Sequence, residues 1–231
     1  MNERVALISG ASRGIGASIA AELAGKGWTL SLGMRSPALP DWADPGRTQV
    51  EAYDALDPTA ERRWIGAALE RFGRIDAVVA NAGVHSEKTI LSAEDEDLDA
   101  LTAVNVKAPR RLIKEAWNAL EQSGRGRVII IASLSGKRVA SLESSLYALS
   151  KFAVVALSHG VRQAGWSKGI RCTAVCPGFV ATDMTKSISK VPQAEMTPPG
   201  SVAKAVSMLL DLPNEASVAE FTINCRLEEI Y

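Results

Sequence analysis

The chain has 231 residues, 47% of them hydrophobic and 23% charged, which suits one sizeable α/β domain built on a single core. Its 26 basic and 26 acidic side chains cancel, so there is no general attraction to nucleic acid or to an anionic membrane. No apolar run approaches the ~18–20 residues that a membrane-spanning helix requires.

Met1-Asn-Glu-Arg4 leads straight into the first apolar run without a signal-peptide pattern, so the expected address is the cytoplasm. Strands are predicted over 4–8, 28–32, 48–53, 75–80, 127–132, 170–176 and 218–223, and helices over 15–26, 58–72, 93–121, 143–164 and 200–211. Runs such as Ala77-Val-Val-Ala80 and Val128-Ile-Ile-Ile-Ala132 are apolar throughout, as strands covered on both faces are. Strand and helix alternate to the end. The pattern predicts a Rossmann-like, doubly wound parallel sheet of about seven strands with helices on both faces, in a single domain over 1–231. One crossover breaks the alternation: Gly33 to Arg47 carries Pro37, Pro40 and Pro45 and is expected to be irregular.

Cys172 and Cys176 fall in one predicted strand, where four residues span ~13 Å, too far for a disulfide. They read as small buried hydrophobes, and with Cys225 they do not suggest a disulfide framework. His85 and His159 have no partner at ligand spacing, so no metal is expected. The acidic run Glu94-Asp-Glu-Asp97, with Asp99, follows Ser92 at a helix start. Ser92 and Asp95 have capping-box spacing there, and the carboxylates complement the helix dipole. The scattered tryptophans and methionines read as packing.

Two stretches carry chemistry. Ser9-Gly-Ala-Ser-Arg-Gly-Ile-Gly16 follows a strand and opens a helix, the context of a dinucleotide site. Gly10 permits the turn. Gly14 and Gly16 let a pyrophosphate approach the backbone at a helix N-terminus. The rival reading is a glycine-rich turn without a ligand. In Ser145-Leu-Tyr-Ala-Leu-Ser-Lys151, Tyr147 and Lys151 stand one helical turn apart. A phenol titrates near 10, and a cation beside it is expected to lower that value toward the working range.

Together these stretches resemble the short-chain dehydrogenase/reductase family, in its compact single-domain branch. Further motifs agree in order: Asn81-Ala82-Gly83 after the fourth strand, Asn105 in Val104-Asn-Val-Lys107, Ser133 in Ala132-Ser-Leu-Ser-Gly136, and Pro177-Gly178 followed by Thr182. The likeness covers residues 4 to about 210. It implies that Tyr147 exchanges a proton with the substrate oxygen as hydride moves to or from a nicotinamide. Lys151 would lower the phenol pKa and hold the ribose, Ser133 would hold the substrate oxygen, and Asn105 would orient a water connecting Lys151 to solvent. The cofactor contacts implied are Gly10, Ser12, Arg13, Gly14, Ile15, Gly16, Asn81, Ala82, Gly83, Tyr147, Lys151, Pro177, Gly178, Val180 and Thr182, with Asp54 near the adenine. Ser133 is preferred to its neighbour Ser135 because it keeps the S-x-x-G spacing to Gly136, although the 14 residues to Tyr147 exceed the usual interval.

An NAD site usually places an acid at the end of the second strand. Here Gly33-Met-Arg35 stands there, and Arg13 offers a second guanidinium, so NADP(H) is the expected cofactor. The expected activity interconverts a small-molecule carbonyl and an alcohol. Alternatives are an NADP-binding sensor without turnover and, more narrowly, a 3-oxoacyl carrier-protein reductase. The tail Ile223-Asn-Cys-Arg-Leu-Glu-Glu-Ile-Tyr231 departs from what that last group carries. Substrate choice is assigned to the segment from Asp183 to Pro199, read as a flexible lid whose Met184, Ile188, Val191 and Met196 suit a partly apolar substrate. Its Lys186 and Lys190 read as solvated, and His85 as structural or substrate-lining. The resemblance also implies a homodimer or homotetramer.

Overall fold

The computed structural model describes residues 4–188 and 191–227. Seven parallel strands form one sheet: β1 (Val5–Ser9), β2 (Thr29–Met34), β3 (Thr48–Ala52), β4 (Ala77–Ala80), β5 (Arg127–Ile131), β6 (Arg171–Pro177) and β7 (Glu220–Ile223). Their spatial order is β3-β2-β1-β4-β5-β6-β7. The chain winds outward from β1 to β3, then crosses back to β4 and winds the other way. That reversal opens a crevice beyond the carboxyl ends of β1 and β4, where open α/β sheets bind ligands.

Two helical layers cover the sheet. On one side α1 (Gly14–Gly25) and α7 (Pro199–Asp211) bury Ile19, Leu23, Val202 and Val206 against Ala6, Ile8, Leu30, Leu32, Ile129 and Ile131. On the other side α2 (Ala60–Phe72), α4 (Ala108–Gln122) and α5 (Ser145–Gly165) bury Trp64, Leu112 and Val154 against Leu7, Val78, Val128 and Ile130. Neighbouring strand residues thus enter opposite cores, which is why β4 and the run from Val128 to Ile131 are apolar at every position. The β2–β3 crossover has no helix, as its prolines predict. Cys172 and Cys176 are fully buried and unbridged, and burial pushes their thiols up to about 12 and about 11.

The predicted helix over 93–121 is corrected. It comprises α3 (Asp95–Thr102), a π-helical turn (Ala103–Lys107) and α4. The Ala108 amide reaches back to the Ala103 carbonyl, five residues earlier. Pro109 has no N–H to offer the Asn105 carbonyl, so the ordinary ladder fails there. The predicted Ser92/Asp95 cap is corrected too. Ser92 instead exchanges hydrogen bonds with Thr89, and α3 starts behind Glu94, whose amide donates to Asp97 Oδ2 at 3.0 Å. A helix α6 (Asp183–Ile188) stands in the segment expected to be a lid. Every other predicted element lies within two residues of its observed ends. Trp28 and Trp64 are buried, whereas Trp42 and Trp166 are exposed, the latter stacked under Arg171 at 3.9 Å.

One buried ion pair fastens α2 to α4. Glu61, 1% exposed, accepts Arg111 Nε at 2.9 Å and Nη2 at 3.0 Å, and takes the Tyr53 hydroxyl at 3.1 Å. Burial, with the Glu61 charge, pushes the Tyr53 phenol above its ordinary value. Arg111→Met should leave the carboxylate buried without its cation. We expect a loss of about 3–5 kcal/mol, read in a thermal scan as a Tm lower by roughly 10 °C. A change under ~2 °C would show that the pair contributes little.

Candidate functional site

The glycine turn is held at the carboxyl end of β1. Gly10 has φ +65°, which side chains rarely adopt, and its amide donates to the Gly33 carbonyl at 2.9 Å. A Cβ on Gly16 would collide with the Gly10 carbonyl oxygen and stand 2.5 Å from Asn81 Nδ2. Asn81 Nδ2 itself donates to the carbonyls of Ser9 (2.9 Å) and Gly10 (3.1 Å). Ser9 completes the join: its Oγ accepts the amides of Asn81 at 2.9 Å and Ala82 at 3.0 Å. This serine escaped the sequence reading, although it sits directly before the glycines.

These residues fit a dinucleotide on two observations. The glycines let the β1 turn close onto Asn81 and Ala82 where a Cβ would collide, which fixes the shape of the turn. The N-cap of α1, Arg13, makes no side-chain cap and the first turn holds no acid, so the leading amides are left for an anion. Ser12 and Arg13 are exposed, and Arg13 lies 3.5 Å from Asp183. Ile15 packs on the α1–α7 core. Pro177 closes β6 and the Gly178 amide donates to the Ile223 carbonyl at 2.9 Å. Val180 is buried, and Thr182 stands against Gly14, where an added Cβ would meet Thr182 Cγ2 at 3.2 Å. Thr185, another residue not anticipated, donates from Oγ1 to Val180 O at 2.6 Å and accepts the Thr182 amide at 3.2 Å, pinning this turn. Arg35 and Asp54 come to the same end of the sheet, since the Tyr53 amide bonds to the Met34 carbonyl at 2.9 Å. Both are exposed, and Asp54 Oδ1 accepts the Leu56 amide at 3.0 Å.

Beside this cradle the structure brings Ser133, Tyr147, Lys151 and Asn105 together. Ser133 follows β5 and its Oγ accepts the Ser135 amide at 3.1 Å. Tyr147 and Lys151 sit on one face of α5, with Nζ 5.6 Å from the phenol ring centroid. Lys151 is 6% exposed and its Nζ donates to the Ile131 carbonyl at 3.0 Å. Asn105 spends its side chain on structure: Oδ1 accepts the Val84 amide at 2.9 Å, while Nδ2 donates to Val84 O at 3.0 Å and Ser150 Oγ at 3.1 Å. Ser150 in turn donates to the Tyr147 carbonyl at 2.7 Å. Gly83 joins the two halves, because a Cβ there would lie 3.3 Å from Asn105 Oδ1 and 3.8 Å from Lys151 Nζ. The His85 ring lies against Tyr147 with centroids 4.6 Å apart. Burial, aided by Lys151, lowers the pKa of His85 and keeps it neutral.

The expectation that Lys151 makes the phenol acidic is corrected. Burial pushes Tyr147 up to about 12, only partly offset by hydrogen bonding from Ser133. Burial also brings Lys151 down to about 8. Desolvation opposes charge on both groups and outweighs their attraction. Because the folded-state value for Lys151 lies below its ordinary 10.5, the unfolded chain holds a proton between pH 8 and 10.5 that the folded chain lacks. Stability therefore rises with pH across that window. Lys151→Met should be more stable than the wild type at pH 7, by at most roughly 3 kcal/mol. The gap should close as pH rises from 8 to 10.5 in parallel denaturant titrations. A gap independent of pH would contradict the burial of a charged amine.

Several described residues of the segment after Thr182 pack on the fold or bond to it. Gln193 Nε2 donates to Thr185 Oγ1 at 3.1 Å, and Val191 and Met196 are buried. Met184 is exposed, and Lys186 pairs with Asp183 at 2.9 Å. Lys190, like Met1–Glu3 and the tail from Glu228 to Tyr231, lies outside the described residues. No helix among the described residues is long and apolar enough to cross a membrane.

The sheet thus reverses its winding at a glycine cradle, with a serine, a tyrosine and a lysine beside it. Residues 4–193 match the short chain dehydrogenase family. The chain is 36% identical to the oxidoreductase UcpA of Escherichia coli (strain K12), over 89% of this chain and 81% of that protein. It is 35% identical to an agropine synthesis reductase of Rhizobium rhizogenes, over 98% of this chain, and spans about half of that protein's length (54%). An alcohol dehydrogenase from the archaeon Thermococcus sibiricus, solved with 5-hydroxy-NADP, superposes with a TM-score of 0.84 at 28% identity, covering 98% of this chain and 99% of that one. The chain belongs to the short-chain dehydrogenase/reductase family.

Proposed function

We propose that this chain is an NADP(H)-dependent oxidoreductase that interconverts a small-molecule carbonyl and an alcohol. The observation that carries the proposal is the meeting of Ser133, Tyr147 and Lys151 beside a cradle built for a dinucleotide. A bound nicotinamide supplies or accepts the hydride. The chain supplies the rest. Tyr147 stays protonated at neutral pH, ready to give its proton to a carbonyl oxygen that gains charge. Ser133 Oγ holds that oxygen. Lys151, mostly charged at pH 7, stabilises the phenolate left behind. Asn105 is a positioning residue. Its side chain clamps the Val84 loop to α5, and the residue would orient a water through which the proton returns.

We assign NADP(H) over NAD(H) to the pair Arg13 and Arg35, both exposed at the rim of the cradle, with no acid at the end of β2. The 5-hydroxy-NADP of the archaeal relative supports that choice. A homodimer or homotetramer is the proposed assembly, supported by Leu149 and Phe152, exposed on α5.

The test follows NADPH and NADH oxidation with aldehydes, ketones and 3-oxo esters. Consumption should occur with at least one carbonyl, and Arg35→Asp should narrow or reverse the preference for NADPH. Equal use of both cofactors by the wild type would defeat the NADP(H) assignment. Cofactor that binds but is never consumed would favour a sensor without turnover.

A further inference from the structure

Parallel strands gather all their amino termini at one edge, and this chain places guanidinium groups on several of them. Arg4 precedes β1, Arg74 precedes β4, Arg125 lies two residues before β5, and Arg127 opens it. These four line a cavity of about 170 Å³ together with Trp28 and the carboxylate of Asp76. The cavity lies at the end of the sheet opposite Ser133 and Tyr147, so the proposed oxidoreductase chemistry does not use it.

Its lining is rich in donors and poor in free acceptors. Asp76 is already spent on the Val5 amide at 2.8 Å and on Arg74 at 2.6 and 2.9 Å. Arg4 pairs with Asp211 at 2.7 Å and stacks on the Trp28 ring at 4.0 Å. Arg127 differs. It is only 4% exposed, and among the described residues no carboxylate pairs with it. It donates to Leu212 O at 2.7 Å, Asn214 Oδ1 at 2.9 Å and Gly126 O at 3.0 Å. Arg125 also donates to backbone carbonyls, those of Asp211 and Leu212. The indole Nε1 of Trp28, 3% exposed, has no hydrogen-bond partner among the described residues. A buried guanidinium that faces other cations and pairs with no carboxylate is costly unless something negative completes it. Burial, then repulsion from Arg125, Arg171 and Arg4, brings Arg127 down to about 10.

We propose that this cavity is an oxyanion site that takes a single phosphate- or sulfate-sized group. The volume, below the ~300–1,000 Å³ of pockets that enclose drug-sized ligands, suits a single tetrahedral oxyanion. Guanidinium forks match its oxygens.

The test titrates inorganic phosphate and sulfate, then glycerol phosphate, into the full chain against chloride at matched ionic strength. Melting temperature and tryptophan fluorescence are read together. A saturating rise of a few degrees is expected for phosphate or sulfate and not for chloride. Trp28→Phe should remove most of the fluorescence response. Arg125→Ser, chosen because Arg127 is needed inside the fold, should weaken the apparent affinity at least five-fold. Arg13→Ser with Arg35→Ser should leave the response intact, which separates this site from the cofactor cradle. Glycerol phosphate matching inorganic phosphate would identify a phosphate ester as an acceptable source, whereas its failure would restrict the site to free oxyanions. Phosphate and chloride acting alike, or a response unchanged in Arg125→Ser, would overturn the proposal, as would its loss in the Arg13/Arg35 variant.

Discussion

Tyr147→Phe is expected to lower carbonyl reduction by about 10²–10⁴-fold, the usual contribution of a positioned proton donor. Cofactor affinity should change less than about three-fold, because the phenyl ring keeps the packing against His85 and only the hydroxyl is lost. The substitution removes a group whose proton is secure at neutral pH, with the phenol near 12 in the free protein. An acid so weak is useful only where its conjugate base is stabilised as it forms. Lys151, held by the Ile131 carbonyl at 3.0 Å, is placed for that. The loss should therefore appear in kcat with KM little changed, the mark of an interaction made in the transition state. Retained turnover in stopped-flow NADPH oxidation would remove Tyr147 from the chemistry.

Gly16→Ala should abolish dinucleotide binding while sparing most of the fold. The new Cβ would press on the Gly10 carbonyl and stand 2.5 Å from Asn81 Nδ2, both fixed by the hydrogen bonds that join the two turns. Neither neighbour is the free end of a flexible side chain. The turn must open, and the amides of the first turn of α1 then lose their common focus. We expect at least a 100-fold rise in the NADPH dissociation constant, measured by NADPH fluorescence. Circular dichroism should remain that of the wild type, since β1 and the α1–α7 core lie outside the clash. Binding unchanged by this methyl group would place the cofactor elsewhere.

Much of this site was legible in the chain because its signals are local. The glycine turn needs particular backbone conformations within eight residues, and Tyr147 and Lys151 need only one helical turn. The central strands announced themselves because they are buried on both faces, so no polar residue interrupts β4 or the run from Val128 to Ile131. What escaped depends on partners distant in sequence. The π-helical turn at Asn105 arises from bonds to Val84 and Ser150, 21 and 45 residues away, combined with a proline four residues on. The phenol pKa follows the same logic. Spacing places a cation beside Tyr147, but desolvation by the surrounding chain sets the sign of the shift. The cap at α3 failed for a smaller reason: Ser92 had a nearer partner in Thr89, and Glu94 took its place. Substrate identity is least legible, because exposed Met184 and Val84 at the crevice rim set an apolar border without naming a ligand.

In the proposed reaction hydride passes between a nicotinamide and a carbonyl carbon while Tyr147 handles the proton. Incubation with NADPH deuterated at the transferable position, followed by mass spectrometry of the alcohol formed, tests it most directly. One deuterium, bonded to the former carbonyl carbon, is expected with the wild type and almost none with Tyr147→Phe. Alcohol formed without that deuterium, or transfer undiminished in the variant, would contradict it.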